Sequence, residues 1–370
     1  MALLITGATG FLGRELVRRL LEDDASLEVV ALVRADDDLA LARRRARLAE
    51  GLPEGCARRL SAVRGDVEHP RLGLADADDA MLTARCDQVL HVAASVRFDL
   101  PLEEARRINV GGTDEVIALC RRIRARGGEG RLDYVGTAYV AGRRDDLVME
   151  DQLDGRRGFR NTYEQSKFEA EGHCRAAREE LPIAIHRPSI IVGEASTGRT
   201  TQYKTIYWPM KILVRFYGRW EAVLPRLVKL PVNPECVLDI VPVDHVARAV
   251  AALCRRAEAV GKTFHHAAGP DAATIRQLTD AACDHFGVAR LGFLDPAGPV
   301  RHVGRALRPI LRRVSPRLAE SGESILAYTR SNPRFDVTNA RAAGFVSPSI
   351  HDYFVRLIEF AQGTDFGKKG

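Results

Sequence analysis

Five residues that read as a buried strand, Ala2-Leu3-Leu4-Ile5-Thr6, give way at once to Gly7-Ala8-Thr9-Gly10-Phe11-Leu12-Gly13, and apolar residues then recur at helical spacing from Arg14 to Leu21. Strand, tight glycine turn and helix in that order open a βαβ unit. Glycines at 7, 10 and 13 let the backbone turn sharply, let a pyrophosphate approach the main chain, and let the helix lie close on the strand. The phosphates then meet the free N–H groups and positive dipole of a helix N-terminus. The turn predicts a dinucleotide cofactor, held by Gly7, Thr9, Gly10, Phe11, Leu12 and Gly13.

Further strands are expected at Glu28–Val33, Leu60–Val63, Gln88–Ala93, Leu132–Val135 and Ile183–His186, with helical patterns between most of them. Strands alternating with helices call for a parallel sheet covered on both faces, an α/β doubly wound (Rossmann) fold. At the end of the second strand stands Arg34, where a cofactor without a 2′-phosphate usually meets a carboxylate. A guanidinium binds phosphate through two parallel hydrogen bonds, so Arg34 favours NADPH. Asp36, Asp37 and Asp38 keep NADH open. Arg43, Arg44, Arg45 and Arg47 offer either a second phosphate contact or an ordinary solvated helix face. After the third strand, Asp66-Val67 is placed to receive the adenine, and Ala93-Ala94 after the fourth leaves room for the cofactor to pass.

Tyr163-Glu164-Gln165-Ser166-Lys167 puts a phenol and an ammonium four residues apart, hence on one helical face. A nearby cation is expected to lower the phenol's pKa and make Tyr163 a usable proton donor. Thr137, at the end of the fifth strand, adds a second hydroxyl at the same sheet edge. The spacing Y-x-x-x-K also occurs by chance in many helices; the phosphate turn upstream is what gives it meaning here.

Taken together, Thr6-Gly7 through Gly13, Thr137, Tyr163 and Lys167 resemble the extended short-chain dehydrogenase/reductases. His91 through Asp99, Asn109-Val110-Gly111-Gly112-Thr113 and Arg187 through Gly193 are similar to the male-sterility-type branch. That branch contains fatty acyl-CoA reductases and the terminal thioester reductases of carboxylic acid reductases and of nonribosomal or polyketide synthases. The likeness runs from residue 2 to about 193 and resumes at Val241–Ala247. It implies a Rossmann domain over 1–194, completed by about 239–268, with a smaller, mainly helical substrate lobe from 195–238 and 269–370. It also implies NADPH as hydride donor, with Lys167, Pro188 and Ile190 against the cofactor and a stretched pair of 2′-phosphate arginines, Arg34 and Arg47. Thr137 and Tyr163 would hold and protonate the carbonyl oxygen of an acyl-CoA or carrier-protein thioester, giving an aldehyde and, after a second reduction, an alcohol. The competing readings are a ketone or aldehyde reductase, a nucleotide-sugar epimerase or dehydratase, and a binding protein with a vestigial site.

Composition narrows the remainder. Length alone, 370 residues, suggests two or three domains at roughly 150 residues each, or one elaborated α/β unit. A net charge of +6 suits an anionic cofactor but is too small to indicate nucleic acid. Seven cysteines with no C-x-x-C pair suggest neither a disulfide framework nor a zinc site. No apolar run reaches the roughly 18 residues of a spanning helix, and no signal peptide is recognisable, so a cytoplasmic protein with at most peripheral membrane contact is expected. Aromatics and bases interleave over 200–230 in what reads as a substrate-lobe wall. Residues 299–318 carry Arg301, Arg305, Arg308, Arg312, Arg313 and Arg317 at helical intervals, either a solvated face or a dock for an acidic carrier, coenzyme A or an anionic surface.

Overall fold

The computed structural model describes residues 2–203, 206–207, 210–211, 229–230, 232–294, 328 and 331–367. In chain order the elements that frame the sheet are β1 (Ala2–Thr6), α1 (Phe11–Asp23), β2 (Glu28–Val33), α2 (Asp38–Ala49), β3 (Leu60–Arg64), β4 (Cys86–His91), α3 (Gly112–Ala125), β5 (Arg131–Val135), α4 (Thr162–Ala176), β6 (Ile183–Pro188), β7 (Ile190–Val192), β8 (Ile240–Pro242), α5 (Val243–Leu253) and β9 (Thr263–His266). Seven strands form one parallel sheet in the order β9-β6-β5-β4-β1-β2-β3. The strand order reverses between β1 and β4, and in open α/β sheets such a crevice at the carboxyl edge is where ligands bind.

Both faces of the sheet are covered, so its strands are apolar on both sides. Leu3, Ile5, Val29 and Ala31 meet Leu16, Val17 and Leu20 of α1 and Val246 and Val250 of α5. Their sequence neighbours Leu4, Val30 and Leu32 point the other way, with Val89, Tyr134 and Ile185, against Val116, Leu119 and Ile123 of α3 and Ala170 of α4. Each fully buried Leu, Ile or Val adds about 1.5–3 kcal/mol. All seven cysteines are free and buried.

Two details depart from expectation. The seventh strand, β9, reads Thr-Phe-His-His and lacks an apolar signature, yet all four residues are buried. Most of its polarity is satisfied inside: His265 Nε2 accepts from Arg187 at 3.0 Å and His266 Nε2 meets His186 at 3.0 Å, while His266 Nδ1 is left without a partner among the described residues. The segment 239–243, at the head of the stretch expected to complete the Rossmann domain, adds no strand to the main sheet but pairs through β8 with β7 in a separate two-stranded ribbon.

A further apolar cluster joins α6 (Ile275–Phe286) to α7 (Ile350–Gly363) through Ala282, Cys283, Tyr353, Phe354, Leu357 and Ile358. The start of α6 carries a capping box between Thr274 and Gln277, and Gly287 ends it in the left-handed region at φ 64°. Among the described residues no helix is long and apolar enough to cross a membrane.

Candidate active site

The glycine turn is built as a cradle. Gly7 takes φ +71°, and a Cβ there would lie 2.6 Å from the backbone nitrogen of Ala93, so only glycine lets the turn after β1 lie against the chain leaving β4. A Cβ on Gly13 would lie 2.1 Å from the carbonyl oxygen of Gly7. Helix α1 begins at Gly10 with no side-chain cap, leaving its first-turn N–H groups for a ligand. Thr9 and Gly10 are exposed at this mouth, Phe11 is half-buried and Leu12 is buried. These residues fit a dinucleotide's pyrophosphate.

Across the crevice, β5 delivers Thr137 and α4 delivers Tyr163 and Lys167. Thr137 is buried where the strand ends; its hydroxyl accepts from Tyr139 N at 3.2 Å and donates weakly to Pro188 O at 3.4 Å. Asn161 caps α4 by accepting from Glu164 N at 2.9 Å, which fixes the turn that carries Tyr163. The Thr137 hydroxyl lies near enough to the Tyr163 phenol to hold its pKa down. Lys167 is buried one turn further on, with Nζ donating to Val135 O at 2.9 Å and lying 4.3 Å from the centre of the Tyr134 ring.

The electrostatics correct the expectation that Lys167 acidifies Tyr163. Burial pushes the phenol up to about 12, opposed by the Thr137 hydroxyl and assisted by Glu164. Burial also pushes Lys167 down to about 8. The ammonium is engaged by a carbonyl and an aromatic face, and desolvation outweighs what it offers the phenol. Tyr163 is therefore protonated through the neutral range, the form a proton donor needs.

Behind these side chains runs a buried hydrogen-bonded chain of residues that were read only as family motifs. Thr6 Oγ1 accepts from the N–H groups of Val92 and Ala93, both at 3.2 Å, so its own proton goes to His91 Nδ1 at 2.7 Å. Burial pushes His91 down to about 3, so the ring is neutral, and the network assigns its proton to Nε2, facing Thr113 Oγ1 at 3.3 Å. Thr113 donates to Asn109 O at 2.7 Å, and Asn109 Nδ2 donates to Ser166 Oγ at 2.9 Å. Asn109 sits in a π-helical turn, Arg107–Gly111, which rotates its side chain between Ser95 and α4. The chain ties the strand before the phosphate turn to the helix of Tyr163. Asn109-x-x-x-Thr113 was its legible signal; the partners required the fold.

Just after β3, Asp66 Oδ1 accepts from Glu68 N at 3.1 Å, and Val67 packs beneath Gly112. Ala93 and Ala94 are half-buried at the edge of the crevice. Arg34 is exposed at the end of β2, 3.6 Å from Glu68, which also pairs with Arg107. Arg47 does not join it: Arg45, in the middle of α2, already reaches Leu60 O at the start of β3, at 2.9 Å. Arg47 lies in the last turn of α2, at the amino edge of the sheet, about 14 Å of helical rise from Asp38. The run-down direction of α2 is what separates the two arginines. Pro188 is buried at the end of β6, and Ile190, half-buried, begins β7.

Of the aromatic and basic stretch over 200–230, Tyr207 is buried with its hydroxyl accepting from Gly193 N at 3.0 Å, and Tyr203 meets Thr364 at 2.8 Å. Both hydroxyls are engaged within the chain. Trp208, Phe216, Tyr217, Trp220 and the arginine-rich 299–318 lie outside the described residues.

Comparison with known proteins agrees with this geometry. The profile of the family described as "Male sterility protein" matches residues 5–250. The L-2-aminoadipate reductase large subunit of Penicillium chrysogenum is 32% identical over 295 residues, 75% of this chain and 20% of that subunit. The chain spans about a fifth or less of the length of the first curated relatives it matches. The crystal structure of the terminal R domain from the myxalamid PKS-NRPS biosynthetic pathway superposes with a TM-score of 0.80 at 27% identity, covering 99% of this chain and 92% of that one. The NAD complex of UDP-glucuronic acid 4-epimerase from Bacillus cereus shares the fold, with a TM-score of 0.67 at 16% identity over 100% of this chain and 99% of that one.

Proposed function

The chain belongs to the male sterility protein family of extended short-chain dehydrogenase/reductases, and from that premise we propose that it is an NADPH-dependent reductase of acyl thioesters. The observation that carries the reading is the neighbouring pair of hydroxyls, Thr137 and Tyr163, on the same carboxyl edge of the sheet as the glycine cradle. The first turn of α1 and Gly7, Gly10 and Gly13 would hold the pyrophosphate, Asp66 and Val67 the adenine, Arg34 the 2′-phosphate, and Lys167 the nicotinamide ribose. A bound reduced nicotinamide supplies the hydride.

Reduction of a thioester carbonyl places negative charge on oxygen. Two preorganised hydroxyl donors stabilise that charge where it develops, without reorganising during the reaction. Tyr163, held protonated by burial, gives up the proton. Collapse of the thiohemiacetal releases a thiol carrier and an aldehyde. The acyl group arrives on coenzyme A or on a carrier protein, the latter favoured by the R-domain likeness.

The test mixes purified protein with NADPH and palmitoyl-CoA, an acylated carrier protein, a fatty aldehyde or UDP-glucuronate, and follows absorbance at the reduced-nicotinamide band. Thioester-dependent loss of absorbance supports the proposal. Isomerisation of the sugar nucleotide without net cofactor consumption would instead establish the epimerase reading, which the shared fold keeps in view.

A further inference from the structure

The first turn of α4 carries an ion pair that the proposed chemistry does not use. Arg160 and Glu164 are both buried, with side chains 2% and 0% exposed. Arg160 Nη1 donates to Glu164 Oε1 at 3.2 Å, and its backbone N–H donates to Oε2 at 3.0 Å. The guanidinium lies beside two rings that meet each other edge to face, 5.7 Å from Tyr139 and 5.2 Å from Tyr328, and its Nη2 donates to Ser331 Oγ. Tyr328 in turn accepts from Asn161 Nδ2 at 3.3 Å, and its hydroxyl is near enough to Glu164 to lower that carboxyl's pKa. Phe98 bridges the rings of Tyr163 and Tyr328, at 5.7 and 5.9 Å.

Burying a charge pair costs several kcal/mol per ion before attraction offsets it, and an isolated helix cap needs no such pair. Its distinctive property is reach. Tyr163 sits between Arg160 and Glu164 in sequence, and those two connect it to Tyr328 and Ser331, more than 160 residues further along the chain. We propose that Arg160 and Glu164 are positioning residues that hold Tyr163 in its donating orientation only while Tyr328 and Ser331 are docked on them, so that proton delivery depends on the C-terminal part of the chain. This rests on Tyr163 being the proton donor.

The experiment compares the full-length wild type with Tyr328→Phe, Ser331→Ala, Glu164→Gln, the double variant Glu164→Gln/Tyr328→Phe, and Tyr163→Phe. Readouts are kcat, KM for the acyl substrate, NADPH affinity from quenching of nicotinamide fluorescence, and the primary deuterium isotope effect on kcat with deuterated NADPH. Tyr328→Phe and Ser331→Ala each delete one contact and guard against the case in which Glu164→Gln does not fold. Expected are a fall in kcat of roughly fivefold for Tyr328→Phe and at least tenfold for Glu164→Gln, with a raised isotope effect and NADPH affinity within twofold. Tyr328→Phe should add almost nothing in the Glu164→Gln background. Additive losses, or an effect of Tyr328→Phe confined to KM, would overturn the clamp. Turnover that survives Tyr163→Phe removes the premise. Turnover that dies with Tyr163→Phe while kcat stays within twofold in the clamp variants overturns the clamp alone. A wild type inactive on thioesters but active on a simple aldehyde is compared on that aldehyde, because the clamp acts on Tyr163 rather than on the acyl chain.

Discussion

Substituting Gly13 by alanine tests whether the glycine turn is a cofactor cradle or an incidental turn. The added Cβ would meet the carbonyl oxygen of Gly7 at 2.1 Å, its carbon at 2.8 Å and the Cα of Ala8 at 2.9 Å. All three are backbone atoms, so no side chain can swing aside. Restoring ordinary contact requires α1 to back away from the turn by about 1.3 Å, and overpacking of this kind costs roughly 1–3 kcal/mol. The displaced first turn also loses its aim at the pyrophosphate, an interaction worth up to about 2 kcal/mol in a partly buried site. NADPH affinity should therefore fall by about 10- to 30-fold, since 1.4 kcal/mol is tenfold. Gly10→Ala is the internal comparison: its nearest contact would be Gly7 O at 3.2 Å, which a few tenths of an ångström relieve, so its loss should be about threefold or less. Fluorescence titration with NADPH measures both, and urea unfolding verifies that each variant is folded. An unchanged affinity in Gly13→Ala, or a larger loss in Gly10→Ala, would refute the reasoning.

Other expectations follow from the same geometry. Tyr163→Phe should lower kcat at least a hundredfold and Thr137→Val about tenfold, with NADPH affinity nearly intact, in the absorbance assay. Arg34→Ala should raise KM for NADPH about tenfold while sparing NADH, and Arg47→Ala should change neither; equal effects of the two would restore Arg47 to the site. Lys167 has a folded-state pKa near 8 against an ordinary 10.5, so between those values the unfolded chain holds a proton that the folded chain has released. Stability should then rise with pH across that window by on the order of 3 kcal/mol relative to Lys167→Met, and urea midpoints that run parallel from pH 8 to 10 would contradict it. Arg187 pairs with Glu171 through two contacts at 2.6 and 2.8 Å with both side chains fully buried. Arg187→Met should cost roughly 3 kcal/mol in the same unfolding assay, because it leaves the buried Glu171 carboxylate with Arg175 alone and also removes a donor from His265 and Gln152 O.

What the chain's order of residues determined was everything with a local cause. The six strands from Ala2 to His186 were legible because a two-sided sheet demands short, largely apolar runs, and the glycine turn because backbone geometry tolerates nothing else at Gly7 and Gly13. Tyr163 and Lys167 were legible as one face of a helix. The tertiary structure decided what depends on neighbours distant in sequence. It placed the polar strand Thr263–His266 in the sheet, where Arg187 and His186 each hydrogen-bond one of its histidines. It put Arg47 at the wrong edge, because α2 runs back from the carboxyl side. It also raised Tyr163 and lowered Lys167, reversing an inference drawn from charge alone, because burial removes the water that both ions need. Spacing along a chain fixes which side chains share a face, whereas solvent exclusion is a property of the assembled fold.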